Sequence, residues 1–340
     1  MQYLYILTST SKDNYYEQFL LSATSLKLLM PNANVILLCD SKTKSTLTEK
    51  RSEYLKYVSQ TITADVPEGL SQIEVSRWIK TSMRKFITGD FLFIDCDTII
   101  TNDLSAIENL GIKFGACLDK HSLIDSHGKG KSIIENDKKL NFSSYTSNRH
   151  INSGIIFCSD CPQTHKLFSR WHELWLYSKS KNILRDQPSF NMAILENSEI
   201  FSELDGVWNC QISYNGLPYL SNSKIIHYFA TDIFFNESPF LLAGENIYKH
   251  IKETGVISDD AINLIKNARS SFNTKSRIIT GNDMLDVINS NLFQFIYFLR
   301  KNIPSVFNVL NKIFSIFKKS AKNVIINSKN KNNSNIKHYN

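Results

Sequence analysis

Residues 91–102, FLFIDCDTIITN, constrain this chain more than any other stretch. Four apolar or aromatic residues run into Asp95, one cysteine separates it from Asp97, and Thr98-Ile99-Ile100 resumes the apolar pattern. Such a run predicts a single strand buried on both faces, as in a parallel sheet covered by helices. Two carboxylates at its carboxyl end are costly to bury without positive charge between them. A divalent cation removes that cost, and a diphosphate beside the cation makes use of it. In open α/β sheets, ligands collect at this end of the strands. The competing account is an ordinary Asp-x-Asp turn at the surface.

At 340 residues the chain can form one large α/β domain or a domain with an appendage. Glycine (12) and proline (7) are too scarce for collagen-like repeats or long turn-rich segments. Cys158 and Cys161 have the spacing of a metal pair, but no second pair faces them, so the six cysteines read as packing thiols. The opening MQYLYILTST lacks a basic segment followed by a cleavable apolar stretch, and the expected compartment is cytoplasmic. The net charge of +7 is unevenly placed: from Leu285 onward nine Lys or Arg face one acidic residue, Asp286. A near-neutral body with a basic tail points to a surface that the tail touches rather than to nucleic acid.

Taken in order, residues 3–10 predict a first strand, 15–29 a helix with Phe19, Leu20, Ala23, Leu26 and Leu29 at helical spacing, and 34–40 a second strand. No Gly-x-Gly-x-x-Gly accompanies this β-α-β unit, which excludes the usual dinucleotide fingerprint. Thr8, Ser9, Asn14 and Tyr15 either meet a nucleotide at the strand end or cap the helix. A helix over 42–60 and a strand over 61–66 come next. The helix expected over 71–87 carries Arg77, Lys80 and Arg84 on one broad face, which is either solvated or turned toward a donor's phosphates.

A short strand is expected over 113–118, then loops over 119–148, where the run HGKGK at 127–131 resembles a phosphate nest only weakly. In the strand at 150–158, Gly154 allows close backbone approach, and Asn152, able to donate and accept, suits a sugar hydroxyl. The tryptophans of the helix at 162–179, Trp171 and Trp175, read as packing residues. Asp186 and Gln187 precede Pro188 at the start of a helical pattern, either as caps or as polar groups facing a reaction centre. His227, in a late strand over 224–230, is either a hydrogen-bonded core histidine or the nitrogen ligand of a manganese otherwise held by oxygens.

Six segments stand in an order that resembles glycosyltransferase family 8: DNYY (13–16), SRWIK (76–80), FLFIDCDTII (91–100), INSGIIF (151–157), RDQPSFN (185–191) and IIHY (225–228). These are retaining sugar-nucleotide transferases such as glycogenin and bacterial lipopolysaccharide galactosyltransferases. The resemblance implies the α/β GT-A fold, a central mostly parallel sheet flanked by helices. It implies Mn²⁺, or Mg²⁺ in its place, held by Asp95, Asp97 and His227. It also implies a UDP-sugar donor contacted by Thr8, Tyr15, Arg77, Lys80, Asp95 and Asn152, with Asp186 and Gln187 as catalytic residues at the sugar. Where the family continues past the histidine with a glycine and later a phosphate-binding lysine, this chain reads HYFATDIFF.

The implied activity moves a hexose, galactose or glucose, from a UDP-sugar to a glycan or glycolipid acceptor, in bacterial surface polysaccharide or lipopolysaccharide synthesis. Retention is open to front-face attack or to a covalent intermediate. Two alternatives stand beside it. A nucleotidyltransferase or sugar-nucleotide pyrophosphorylase would carry a glycine-rich basic loop after the first strand, and a non-enzymatic carbohydrate-binding protein would need neither Mn²⁺ nor both aspartates.

From Leu292 an apolar stripe runs through Phe293, Ile296, Leu299, Ile303, Val306, Phe307, Leu310, Ile313, Phe314 and Phe317, with lysines mostly off it. Its longest unbroken apolar piece is far short of the roughly 20 residues that cross a bilayer. The pattern predicts amphipathic helices lying at the inner face of the cell membrane as a peripheral contact, or else a helix pair packed on the body or on another subunit. The expected division is a catalytic domain over 1–250, a helical region over 251–326 and a disordered Lys/Asn-rich tail over 327–340.

Overall fold

The computed structural model describes residues 1–229, 240–273, 287 and 290–315. It divides into two units, Met1–Gly281 and Asn282–Asn340. The first opens with β1 (Gln2–Leu7), α1 (Tyr15–Leu29), β2 (Asn34–Asp40), α2 (Ser41–Thr46), β3 (Gln60–Ala64), α3 (Gln72–Ser82), β4 (Phe91–Ile94), β5 (Thr98–Ile100) and β6 (Phe114–Leu118). It continues with α4 (Gly130–Lys139), β7 (Ile151–Cys158), α5 (Pro162–Ser180), α6 (Gln187–Glu196), β8 (Phe201–Glu203), β9 (Cys210–Gln211), α7 (Leu217–Leu220), β10 (Ile225–His227), α8 (Glu245–Thr254) and α9 (Asp259–Lys266).

Seven strands form one sheet in the order β3-β2-β1-β4-β7-β6-β8. Its pairings are parallel except where β7 runs antiparallel to β4 and β6. Alternate side chains enter opposite cores. Tyr5, Leu37 and Ile94 pack with Phe19 and Leu26 of α1 on one face. On the other, Leu4, Ile36 and Phe93 pack with Ile79 of α3 and Leu167 and Trp171 of α5. A mostly parallel sheet covered on both faces by helices is what the uninterrupted apolar runs predict.

The chain departs from expectation where it matters most. FLFIDCDTII is two strands, not one: β4 lies in the large sheet, while β5 belongs to a second sheet ordered β5-β10-β9. Changing sheets over three residues would strand buried backbone groups, and hydroxyls of α1 and β5 supply partners. Ser25 Oγ accepts from Ile100 N at 2.9 Å. Thr98 Oγ1 donates to Asp95 O at 2.8 Å, and that hydroxyl lies 2.8 Å from Ser22 Oγ, itself 3.0 Å from Tyr5 OH. Buried serines in a helix interior, which look like a flaw in its apolar pattern, hold the crossing in place.

Three further expectations are corrected. The helix expected over 42–60 splits into α2, capped by Asp40 accepting from Lys42 N and Thr43 N, and a 3₁₀ segment Glu49–Lys56. The expected loops over 119–148 contain α4, whose buried Gly130, Ile133 and Asp137 are too few and too mixed to announce a helix. Arg84 leaves the basic face it was expected to share with Arg77 and Lys80, because α3 tightens to 3₁₀ at Met83 and turns it inward. It is 2% exposed, bonded to the Ile87 and Gly89 carbonyls and 3.3 Å from Asp160.

Residues beyond 250 still belong to the first unit. Tyr248 and Ile251 of α8 and Ile265 and Ala268 join the core beneath α1. In the second unit, one helix spans Asn291–Asn302, capped by Ser290 Oγ accepting from Phe293 N, and residues 304–315 form another. Pro304 suits a helix start and forces Ile303 out of helical geometry (φ −137, ψ 66). Residues 327–340 lie outside the described residues. Among the described residues, no helix is long and apolar enough to cross a membrane.

Ser25→Ala leaves Ile100 N buried without an acceptor, and should destabilise the protein by about 1–3 kcal/mol. Urea unfolding followed by circular dichroism measures this, and a change below about 0.5 kcal/mol, the range of a bland surface substitution, would show that α1 does not hold the crossing.

Candidate functional site

The sheet change explains how Asp97 meets a histidine far along the chain. Antiparallel pairing of β5 with β10 sets His227 opposite Thr98, and Tyr228 N donates to Asp97 O at 3.1 Å. Asp95 still holds to the large sheet, donating its N–H to Gly154 O at 2.8 Å. One oxygen each from Asp95 and Asp97 and a ring nitrogen of His227 therefore lie within 4.8 Å of one another. The Nε2 of His227 is 3.2 Å from Asp97 Oδ1. Two carboxylates and one imidazole suit a divalent ion that accepts both oxygen and nitrogen.

Gly154 forms the cradle. A Cβ there would stand 2.5 Å from His227 Cε1, 2.8 Å from Asp95 Oδ2 and 2.9 Å from Asn152 Oδ1. No other residue type lets the three groups close around that point.

Positive charge reaches the same point from α3. Lys80 Nζ is 3.1 Å from Asp95 Oδ1 and 3.8 Å from Asp186 Oδ2, and Arg77 Nε is 3.0 Å from Asp186 Oδ1. The two aspartates respond in opposite directions. Burial alone would raise Asp186, but Arg77, Lys80 and a 2.7 Å hydrogen bond from Ser153 bring it down to about 2. For Asp95, burial wins: Lys80 pulls the carboxyl down, Asp97 pushes it up, and it rests above the usual range. The 30% of the Asp95 side chain that stays open faces the cleft, with protein on its other sides. His227 is lowered by burial, yet Asp97 and then Asp95 outweigh this and hold it above the ordinary histidine value.

Of the residues expected to meet a donor, Ser9 bonds Asp13 and Arg51 and Asn14 stands at the N-cap position of α1 without a side-chain capping bond, both outside the lining of the cleft. The other ten line one cleft of about 690 Å³: Thr8, Tyr15, Arg77, Lys80, Asp95, Asp97, Asn152, Asp186, Gln187 and His227. Several do so in unexpected ways. Asp186 occupies the N-cap position of α6, but its side chain makes no capping bond and serves the two cations instead. Its carbonyl accepts from Trp171 Nε1 at 3.3 Å and from Ser189 Oγ at 2.7 Å, so the packing tryptophan also fixes the site loop. Gln187 makes a long 3.5 Å bond to Ile151 O from the cleft wall. The Asn152 carbonyl accepts from both Gly154 N and Asn209 Nδ2, each at 2.9 Å, which leaves only amide hydrogen for a sugar.

Sequence reasoning missed Asn209, Asp119 and the role of His127. Asn209 Oδ1 lies 2.9 Å from His227 Nδ1. Asp119 accepts from Asn152 Nδ2 at 2.8 Å and lies 3.0 Å from His127 Nε2. His127 Nδ1 in turn accepts from Lys129 N at 3.0 Å, so HGKGK is an anchored turn into α4 rather than a phosphate nest. Burial would raise the Asp119 carboxyl, but the His127 hydrogen bond and the charges around it hold it far below the usual range. No local spacing marks Asn209, which stands immediately before β9. Phe229 stacks on His227 at 4.0 Å between ring centroids, in the left-handed backbone region (φ +47).

Residues 7–232 match the profile described as glycosyl transferase family 8. The chain belongs to that family. It is therefore a glycosyltransferase, and its helix-covered, mostly parallel sheet is the family's GT-A arrangement. No curated protein sequence matches it. Among solved structures it is similar to galactosyltransferase LgtC in complex with donor and acceptor sugar analogues, at 12% identity, covering 77% of this chain and 99% of that one, with a TM-score of 0.48. It is similar to apo mouse xyloside xylosyltransferase 1 at 13% identity, covering 67% and 97%, with a TM-score of 0.46. For the glycosyltransferase GlyE of Streptococcus pneumoniae the values are 15%, 81%, 66% and 0.44. The segment in which this family member departs from the glycine and lysine of its relatives falls mostly within residues 230–239, outside the described residues.

A divalent cation held by this triad should bind at least about tenfold more weakly in Gly154→Ala, the scale on which groups supporting a metal ligand act. Electron paramagnetic resonance of free Mn²⁺ measures it directly, and affinity equal to that of the parent protein would mean that the triad is not the cation site.

Proposed function

We propose that this family 8 member is a retaining, Mn²⁺-dependent hexosyltransferase that uses a UDP-sugar, galactose or glucose, and delivers it to a glycan or glycolipid acceptor of a bacterial surface polysaccharide or lipopolysaccharide. Mg²⁺ is the second choice of ion. The observation that carries this reading is the meeting of Asp95, Asp97 and His227 on a cleft whose neighbouring wall holds Lys80 and Arg77.

Asp95, Asp97 and His227 would hold the ion, which when bound offsets the charge that gathers on the diphosphate as the bond to the sugar breaks. Lys80 and Arg77 place two further cations beside that diphosphate, and Thr8 and Tyr15 line the end of β1 where the nucleotide would lie. Asp186 is fixed by Arg77, Lys80 and Ser153, so its carboxylate orients cations and stabilises a positive sugar. Acting as a nucleophile would cost it those partners. This favours front-face attack within one pocket over a covalent intermediate, with Gln187 on the wall beside the sugar.

Hydrolysis of a panel of UDP-sugars with and without Mn²⁺ tests the reading without any acceptor. We expect turnover of UDP-galactose or UDP-glucose that requires the metal and falls at least about 100-fold in Asp97→Asn, the scale of losing a main electrostatic stabiliser. Metal-independent turnover, or parental activity in Asp97→Asn, would reject it.

The second unit supports a further part of the same proposal. Its helices expose Leu292 (68%), Phe295 (56%), Phe298 (52%), Val309 (59%) and Phe314 (60%) beside Arg300, Lys301 and Lys312, and no acidic residue follows Asp286. This combination suits the headgroup region of an anionic bilayer and a lipid-linked acceptor. The full chain should sediment with phosphatidylglycerol vesicles and stay behind with phosphatidylcholine alone. A chain ending before Leu285 should lose that binding while keeping donor hydrolysis, and equal sedimentation of both chains would remove the membrane from the reading.

A further inference from the structure

We infer that Asn209, itself oriented by Asn152, is the positioning residue that presents the Nε2 of His227 to the cation, and this inference rests on the metal site proposed above. One donor in this network has a direction beyond choice. The backbone N–H of Gly154 can only donate, and it donates to one end of the Asn152 amide at 2.9 Å, so that end is the oxygen. The other end is then the NH₂, and it meets an oxygen of Asp119 at 2.8 Å, a carboxylate kept ionised by its surroundings. His127 agrees from the far side. Its Nδ1 accepts from Lys129 N, so its Nε2 carries the hydrogen directed at the other Asp119 oxygen.

With the Asn152 oxygen fixed, the end of Asn209 that lies 2.9 Å from it must be the NH₂. The Asn209 oxygen is therefore the atom 2.9 Å from His227 Nδ1, which carries a hydrogen to meet it. An imidazole protonated at Nδ1 offers the lone pair of Nε2, the nitrogen that faces Asp97. A ligand histidine steadied through its second nitrogen is held in one ring orientation and made a stronger base.

Backbone pairing makes the arrangement rigid. β9 begins one residue after Asn209 and runs beside β10, with Cys210 opposite Ile226 and Gln211 opposite His227. Asn209 is fully buried, and its contacts are all within the protein. It touches no ligand group itself and acts only through His227.

The test measures metal binding and the identity of the nitrogen ligand, not turnover. Mn²⁺ affinity is read by paramagnetic resonance of the metal, and ¹⁴N modulation of its spin echo reports the His227 nitrogen. Parent protein should bind Mn²⁺ with the nitrogen signal. Asn209→Ala and Asn209→Leu should lose about 10- to 100-fold in affinity and most of the ¹⁴N modulation, the cost of removing an outer-shell partner. Asn209→Asp keeps an acceptor at Nδ1 and should bind Mn²⁺ more tightly than either, whereas a residue that merely fills space would tolerate Leu best. Parental affinity and nitrogen signal in Asn209→Leu, or an order that places Leu above Asp, overturns the inference while the metal site stands. Parent protein that binds no Mn²⁺ overturns the site and this role with it.

Discussion

Three residues, Asp95 to Asp97, carry the chain from one sheet into another, and the site depends on that transfer. A continuous strand would have pointed Asp95 and Asp97 to the same face within the large sheet, with no reason for β10 to approach. Because β5 leaves to pair with β10, the backbone register itself delivers His227 opposite Thr98. The meeting of the three side chains is thus set by main-chain hydrogen bonds. The hydroxyls of Ser25 and Thr98 satisfy the backbone at the crossing and Ser22 bonds the Thr98 hydroxyl, so the polarity of α1 and the position of the carboxylates are linked.

Much of this was readable from residue patterns. The apolar runs placed β1, β2, β6 and β7 closely, and the helical spacing of apolar residues placed α1 and α5. Ten of the expected site residues face one cleft because strand ends in an α/β sheet gather at one edge. What could not be read was where FLFIDCDTII changes partners: its residues are apolar on both sides of the break, and only tertiary hydrogen bonds tell two sheets from one. The same limit hid Asn209. Its importance lies in the direction of two hydrogen bonds to residues distant in sequence, and no local spacing encodes that. Arg84 was misplaced for a related reason, since helical spacing assumes that α3 keeps its pitch beyond Ser82, and it does not.

Asn152 shows how a correct location can hide a different role. An amide that donates and accepts looks suited to a sugar hydroxyl, and Asn152 does line the cleft. Its oxygen, however, already accepts from a backbone N–H and from Asn209. It can still offer an N–H to a ligand, but its larger share of the work is inward, linking Asp119 to the histidine side of the site. Buried polar networks of this kind are useful only when every member is satisfied, because an unpaired group in a low-dielectric interior is costly. Here the chain from Lys129 N to His227 closes at each step.

The carboxylates around the proposed cation site differ in how fully the protein answers their charge. Asp119 and Asp186 are answered from within, by His127 and Asn152 in one case and by Arg77, Lys80 and Ser153 in the other, and both are held below the ordinary carboxylate range. Asp95 shares Lys80 with Asp186 and has Asp97 beside it, and its carboxyl is raised instead. Lys80 is one charge between two carboxylates, and Arg77 settles most of what Asp186 requires. Asp95, with Asp97 beside it and Lys80 shared with Asp186, is consequently the carboxylate whose charge the protein's own cations answer least. A site short of positive charge favours the group that supplies it, and a divalent ion does so without adding a side chain to a crowded cleft floor. Lys80 sits between two carboxylates, 3.1 Å from Asp95 and 3.8 Å from Asp186, while Arg77 is committed to Asp186.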